Sequence, residues 1–264
     1  MGDFDGKVLL ITGGGTGLGA AIALGAARRG AKAVFLNCSK SLAEAQATAA
    51  AVRAAGAEAT VVAGDVADDA ACRAIAESAA RYGRLDALVN NAGITKHVPD
   101  HADLDGLSGE DFLRVYAVNT VAPFQMTRAC RRLLMASSAA SVLMVSSIAG
   151  VSGMGSSIAY AASKGALNTM TLSLARALAP AIRVNAICPG FMDTRWFSAG
   201  LGPEVAAKLR ARVAENAPLK VASTADDVAE AALFLISDAA RRITGETLLV
   251  DAGVHLGFAP MRAR

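Results

Sequence analysis

An α/β domain built on a doubly wound parallel sheet is predicted by three observations. Short apolar runs alternate with helical segments along the whole chain, a glycine-rich turn follows the first of those runs, and polar residues close several later ones. Such alternation is how a parallel sheet covers both of its faces with crossover helices. The 264 residues, 53% hydrophobic with a net charge of +3, supply enough apolar material for one large core and too little charge to stay unfolded. No linker-like stretch or internal repeat interrupts the pattern, so residues 1–264 read as a single domain.

Val8 to Ile11 reads as the first buried strand, followed by TGGGTGLG (Thr12 to Gly19) and then by good helix formers closed at Gly30. Glycines between a strand and a helix permit a sharp turn and let the backbone approach a pyrophosphate at the positive end of the helix. Gly13, Gly15, Thr16, Gly17, Leu18 and Gly19 are therefore candidate phosphate-binding residues, a plain strand-to-helix connection being the alternative. Ala33 to Leu36 is the second strand. Asn37-Cys38-Ser39-Lys40 then offers no acid for ribose hydroxyls, the first acid being Glu44. A hydroxyl and a cation suit a 2′-phosphate through charge-assisted hydrogen bonds. Asn37, Ser39 and Lys40 thus point to NADP, with NAD as the alternative; Lys40 reads equally as a solvated loop residue.

Ser41 to Ala55 is helix, Thr60 to Ala63 the third strand, Asp69 to Tyr82 helix, and Leu85 to Val89 the fourth strand. The strand ends carry Asp65 and Val66, then Asn90, Ala92 and Gly93, at the carboxyl edge where such sheets bind ligands. Capping the following helix is their alternative role. In the loop from Thr95 to Gly106, Pro99 and its acidic neighbours argue against a helix that would join His97 and His101 at a metal. Gly109 to Met135 reads as one long helix with Asn119, a poor helix former, in its middle, so either a local irregularity or a retained functional group.

Ser141 to Val145 is the fifth strand and leads into SIAGVSGMGSSIAYAASK, Ser147 to Lys164. A helix from Ile158 sets Tyr160 and Lys164 on one face, one turn apart. An ammonium beside a phenol favours the phenolate, so Tyr160 is expected to be a proton donor near neutral pH, with Ser147 polarising a carbonyl. The helix ends near Leu178, and Ile182 to Ile187 is the sixth strand, followed by Cys188 to Thr194. From 195 to 220 the pattern loosens, and a flexible substrate lid is expected there; Trp196, Phe197, Met154 and His97 are expected around the substrate. Thr224 and Asp227 open a last helix, and Thr247 to Val250 is the seventh strand.

Cys38, Cys72, Cys130 and Cys188 form no CxxC and read as buried reduced thiols, with neither metal nor disulfide. The acidic N-terminus is unlike a signal peptide and no apolar run reaches spanning length, so a cytoplasmic protein off the membrane is expected. No run of Lys and Arg suits a nucleic acid.

From Lys7 to Gly253 the chain resembles the short-chain dehydrogenase/reductase family. TGGGTGLG, Asp65-Val66, NNAG from Asn90, Asn119, Ser147, YAASK from Tyr160, IRVNAICPG from Ile182, Thr194 and ITGETLLVDAG from Ile243 occur in the family's order and spacing. The resemblance implies a Rossmann fold, a seven-stranded parallel sheet with helices on both faces. It also implies an NAD(P)-dependent oxidoreductase that transfers hydride between a nicotinamide and a carbonyl or secondary alcohol. By that likeness Tyr160 is the general acid in reduction and base in oxidation, Lys164 lowers its pKa and binds the nicotinamide ribose, and Ser147 stabilises the oxyanion. Asn119 would hold a water linking Lys164 to bulk solvent. Gly13, Gly17 and Gly19 shape the pyrophosphate turn, Asp65 meets the adenine, Asn90 to Gly93 support the cofactor, and Pro189, Gly190, Met192 and Thr194 position the carboxamide. Within the family the chain is most similar to 3-oxoacyl-(acyl-carrier-protein) reductases, with Arg132 and Arg176 where those enzymes meet the carrier. That likeness implies a 3-oxoacyl thioester, an acyl carrier protein partner and a homotetramer built through the long fourth and fifth helices. Reductases of other ketones, sugars and steroids share the skeleton. A dinucleotide sensor without catalysis and a methyltransferase are the alternatives from other classes.

Overall fold

The computed structural model describes residues 2–257; residues 1 and 258–264 of the expected domain, and the side chains of 198, 199 and 201 in the expected lid, lie outside what is described. In chain order the elements are β1 (Val8–Ile11), α1 (Gly17–Arg28), β2 (Ala33–Cys38), α2 (Leu42–Ala54), β3 (Glu58–Ala63), α3 (Asp69–Ser78) and β4 (Ala87–Asn90). Then come α4 (Gly109–Tyr116), α5 (Ala122–Met135), β5 (Ala140–Val145), α6 (Ala149–Ser152), α7 (Ile158–Leu178) and β6 (Ile182–Pro189). The chain closes with α8 (Arg195–Leu201), α9 (Pro203–Asn216), α10 (Ala225–Ile236) and β7 (Thr247–Val250).

All seven strands pair in parallel in the order β3-β2-β1-β4-β5-β6-β7. The chain winds outward from β1 to β3, then returns to lay β4 on the other side of β1. That reversal opens a crevice outside the carboxyl ends of β1 and β4, where such sheets take their ligands. Every residue of β1, β2, β4 and β5 is buried, which is why these strands read as continuous apolar runs rather than alternating ones. One core packs α1, α2 and α10 against the sheet through Ile22, Val52 and Leu233; the other packs α3, α5 and α7 through Ile75, Met126 and Leu167.

The structure extends β2, β3 and β6 beyond the expected runs, to Cys38, from Glu58 and to Pro189, because pairing with a neighbour holds residues that have little intrinsic strand preference. The helix expected over Gly109 to Met135 is three pieces: α4 stops at Tyr116, Ala117–Val121 forms a π-turn, and α5 resumes at Ala122 with Pro123 in its first turn. A proline removes one amide donor and a wide turn absorbs the resulting mismatch. The segment after Thr194 is more ordered than the loosened pattern predicts, since it contains both α8 and α9. Among the described residues no helix is long and apolar enough to cross a membrane.

α10 begins with a reciprocal cap: Asp227 N donates to Thr224 Oγ1 at 3.2 Å and Thr224 N donates to Asp227 Oδ2 at 2.8 Å. Thr224→Ala removes the acceptor for an otherwise orphaned amide and is expected to cost about 1 kcal/mol. In a chain of this size that lowers Tm by about 2–4 °C, measured by calorimetry or circular dichroism, with no change in fold.

Candidate active site

Three turns at the carboxyl edge build the first half of the site. Gly13 at φ +61° and Gly17 at φ +52° occupy the left-handed region that only glycine adopts at little cost. At Gly19 a Cβ would lie 2.4 Å from Gly13 O, so α1 seats directly on the turn's backbone only because that side chain is absent. Thr16 caps α1 without a side-chain hydrogen bond, and the first turn of α1 contains no acid, whereas α3, α4 and α10 each place one there. The N-terminus of α1 therefore presents its backbone donors and positive dipole end uncompensated, which suits an anionic pyrophosphate.

The turn after β4 locks this loop in place. Asn91 Nδ2 donates to Thr12 O and Gly13 O, both at 2.9 Å, while Thr12 Oγ1 accepts from Asn91 N and Ala92 N, both at 3.0 Å. Asn90, the residue singled out from sequence, points the other way: it is 3% exposed and its amide donates to Thr127 Oγ1 and Met144 Sδ in the core beneath. Successive strand residues face opposite sides, so of the Asn-Asn doublet only the second reaches the turn. Asn37 is likewise buried, its amide donating to Val62 O and Gly64 O, so its side chain braces β3. Ser39 and Lys40 stand exposed at the end of β2. Asp65 accepts from Ala67 N, and α3 is capped instead by Asp68.

Across the crevice, Gly190 packs on Asp251 so closely that a Cβ would come within 2.7 Å of that residue's own, and Pro189 O accepts from Ile148 N. Met192 bridges to Ser223. The Thr194 methyl lies against Gly17, at 3.8 Å from where its Cβ would be, so the two sides of the crevice meet there. Arg195 then pairs with Glu44 on α2 at 2.7 Å and holds that carboxyl below its usual range. Asn91 falls within the Asn90 to Gly93 stretch expected to support the cofactor, but its lock on the glycine turn through Thr12 was not foreseen, and nothing local marks Arg195 and Glu44 as partners.

The second half of the site is carried by α6 and α7. Ser157 caps α7 by accepting from Tyr160 N, and the helix sets Tyr160 and Lys164 one turn apart as expected. Ser147 Oγ accepts from Ala149 N at 3.1 Å, which leaves its own proton to donate, and it lies close enough to the Tyr160 phenol to lower that group's pKa against burial. Trp196 from α8 lies over the Tyr160 ring with centroids 6.2 Å apart. His97 packs on Gly200 and His101 sits 3.1 Å from Gly155 O, so the two imidazoles diverge.

One expectation needs correction. Lys164 does not acidify Tyr160 here: burial pushes the phenol up to about 12 against the opposing effect of Ser147, and pushes Lys164 down to about 8. The Lys164 ammonium is held by Val145 O at 2.7 Å, and desolvation outweighs any attraction between the two side chains. Asn119 is also largely committed to protein. Its Oδ1 accepts from Ile94 N, and its Nδ2 donates to Ile94 O and Ser163 Oγ, while Oδ1 and Lys164 Nζ both flank the open side of Gly93.

A family model described as enoyl-(acyl carrier protein) reductase matches residues 13–255. A solved short-chain dehydrogenase/reductase from Burkholderia xenovorans superposes with a TM-score of 0.87 at 43% identity, covering 96% of this chain and 99% of that one. The chain belongs to the short-chain dehydrogenase/reductase family. Ketoacyl reductase 2 of the granaticin polyketide synthase from Streptomyces violaceoruber is 39% identical over 250 residues, 94% of this chain and 96% of that protein. The 3-oxoacyl-(acyl-carrier-protein) reductase FabG of Escherichia coli is 33% identical over 256 residues, 96% and 99% of the two chains. This short-chain dehydrogenase/reductase is an oxidoreductase that uses a nicotinamide cofactor to interconvert a carbonyl and an alcohol.

Folding costs Lys164 its proton early, because its pKa falls from 10.5 to about 8 on burial. Between those values the unfolded chain binds the proton that the folded chain has released, so this group makes stability rise with pH. Above pH 10 the raised phenol of Tyr160 acts in the opposite sense. The wild-type protein without cofactor is expected to gain on the order of 2 kcal/mol from this lysine between pH 7 and pH 9.5. Lys164→Met should lose that increment, read as the difference between urea midpoints at the two pH values.

Proposed function

We propose that this reductase delivers NADPH hydride to the ketone of a 3-oxoacyl thioester, with Tyr160 as the proton donor. The observation that carries the reading is the seating of the Ser147 turn on α7, with Gly150 against the Lys164 backbone and Ser146 Oγ donating to Lys164 O, which sets Ser147 beside Tyr160. A phenol kept protonated by burial is a poor base but a ready acid toward an alkoxide, whose conjugate acid is weaker still. Ser147 donates to the carbonyl oxygen as negative charge develops there, a contribution of about 3 kcal/mol for one well-placed donor. Lys164 holds its ammonium beneath, on Val145 O, near the backbone of Gly93.

The residues that would hold the cofactor are Gly13, Gly15, Thr16, Gly17, Leu18 and Gly19 at the pyrophosphate, Asp65 and Val66 at the adenine, and Asn90, Ala92 and Gly93 along the floor. Pro189, Gly190, Met192 and Thr194 would face the carboxamide, and Tyr160 and Lys164 the ribose. A nicotinamide bound there supplies the hydride. NADP over NAD is supported by exposed Ser39 and Lys40 at the end of β2, and by Arg195 neutralising Glu44, the first acid after them. The β-keto substrate is supported by the name of the granaticin relative. Docking of an acyl carrier protein through Arg132 and Arg176 has less support, since both lie in the last turns of α5 and α7. Leu133 O, beside Arg132, accepts from Leu85 N ahead of β4, so that helix end sits at the sheet edge opposite the site. A homotetramer through α4, α5 and α7 is supported by exposed Leu113, Phe124 and Leu172. A lid role for 195–220 is supported by Trp196 over Tyr160. A cytoplasmic setting and a single domain are supported by four buried, unpaired cysteines and one continuous sheet among the described residues.

Tyr160→Phe is expected to lower kcat at least about 10³-fold on a 3-oxoacyl thioester while NADPH still binds by fluorescence titration; retained ketone reduction refutes the role. Lys40→Glu is expected to raise the KM for NADPH about 10- to 100-fold and leave that for NADH within a factor of three. Equal changes for both cofactors would remove Lys40 from the 2′-phosphate.

A further inference from the structure

Asn119, in the π-turn, is fully buried, and so is Ser163, the residue before Lys164. The Ser163 hydroxyl stands between the two parts of the site. It accepts from Asn119 Nδ2 at 3.1 Å and donates to Tyr160 O at 2.7 Å. Asn119 in turn closes a two-way pair with the Ile94 backbone, 2.9 Å in each direction. Ile94 directly follows Gly93, whose missing side chain would meet Asn119 Oδ1 at 3.4 Å and Lys164 Nζ at 3.7 Å. An unbroken chain of hydrogen bonds therefore runs from the crevice floor, through the buried side chains of Asn119 and Ser163, to the backbone of the phenol-bearing residue.

We infer that Ser163 is a positioning residue, which sets the height of the Tyr160 phenol above the crevice floor by tying the first turn of α7 to Asn119. The inference rests on the proton-donor role of Tyr160 and deepens it. The other directional ties of α7 to its surroundings, Ser146 Oγ to Lys164 O, Thr120 Oγ1 to Ser163 O and Lys164 Nζ to Val145 O, act at residues 163 and 164, and apolar contacts add little directional preference at the turn that carries Tyr160. The hydroxyl adds a directional link at the helix turn where a small displacement is most harmful: a shift of an ångström at reacting atoms costs about 10²-fold in rate. A buried amide also loses a partner when that link is removed, so Asn119 is expected to relax toward another acceptor and release Ile94.

The test compares Ser163→Ala, Asn119→Ala and the double variant, with Tyr160→Phe as reference, all assayed well below their melting temperatures. Ser163→Ala, a favourable helix substitution, is expected to lower kcat about 10-fold while the KM values for cofactor and ketone stay within twofold. Loss of folded protein would lower the active fraction, so rates are normalised to the sites titrated by cofactor. The double variant is expected to lose no more than Asn119→Ala alone, because both deletions break one chain. Ser163→Thr, which keeps the hydroxyl, is expected to recover most of kcat. Should Ser163→Ala not fold, Ser163→Cys, of similar volume but weak in hydrogen bonding, takes its place with the same expectation. An unchanged kcat, a double variant whose losses multiply, or a rise confined to KM overturns the inference. If Tyr160→Phe is inactive in that event, the proton-donor reading stands and only the role of Ser163 falls; if Tyr160→Phe is active, the reading beneath it has failed.

Discussion

Contact between bare backbones is the constraint on which this structure depends. Gly150, in α6, touches α7 so closely that a Cβ would lie 2.5 Å from the carbonyl carbon of Lys164. That approach, reinforced by Ser146 Oγ donating to Lys164 O at 3.1 Å, draws the Ser147 turn against the helix that carries Tyr160 and Lys164. The glycine turn uses the same device at the other end of the crevice, where Gly19 seats α1 on Gly13. Each half of the site is thus fixed by a glycine whose side chain would separate two elements, an arrangement far less tolerant of substitution than packing between flexible side chains.

Close packing has an electrostatic consequence. Burial, complete at Lys164 and partial at Tyr160, raises the phenol and lowers the ammonium. These shifts mean that folding stabilises the neutral form of each group, so the pair is held against the charge separation that a phenolate and an ammonium would represent. Val145 O offsets part of the cost for Lys164. The balance favours a phenol that gives up its proton only when a stronger base, such as a nascent alkoxide, is placed against it, which is the state that the proposed donor role requires.

The sheet and the order of its elements were legible because fully covered parallel strands leave an unmistakable pattern: Val8–Ile11 and Ala140–Val145 are apolar on both faces. The glycine turn, Ser147, Tyr160 and Lys164 were legible from spacing. What escaped was direction and distance in space. Asn90 and Asn91 are indistinguishable in composition, and only strand alternation turns one to the core and the other to the turn. The oddity at Asn119 was visible, but the π-turn that accommodates it depends on Ile94 and Ser163, 25 and 44 residues away along the chain. Spacing predicted that Lys164 and Tyr160 would be neighbours, and they are; it carried no information on solvent, which decides the sign of the phenol's shift.

The segment after Thr194 joins the two halves of the site without belonging firmly to either. At its start Thr194 rests on the glycine turn and Arg195 reaches Glu44; at the end of the same short helix Gly200 receives the ring of His97 from the loop after β4. Between them Trp196 covers Tyr160. The side chains of Arg195 and Glu44 are about half exposed, at 56% and 43%, so solvent screens their ion pair and it contributes little, and α9 behind it buries none of its residues. The segment from Thr194 to Gly200 thus touches the glycine turn, Glu44, the Tyr160 ring and His97, so on the proposed reading a group seated in that turn also bears on the position of Trp196. On that reading cofactor and substrate would be linked through one helix rather than through the sheet beneath them.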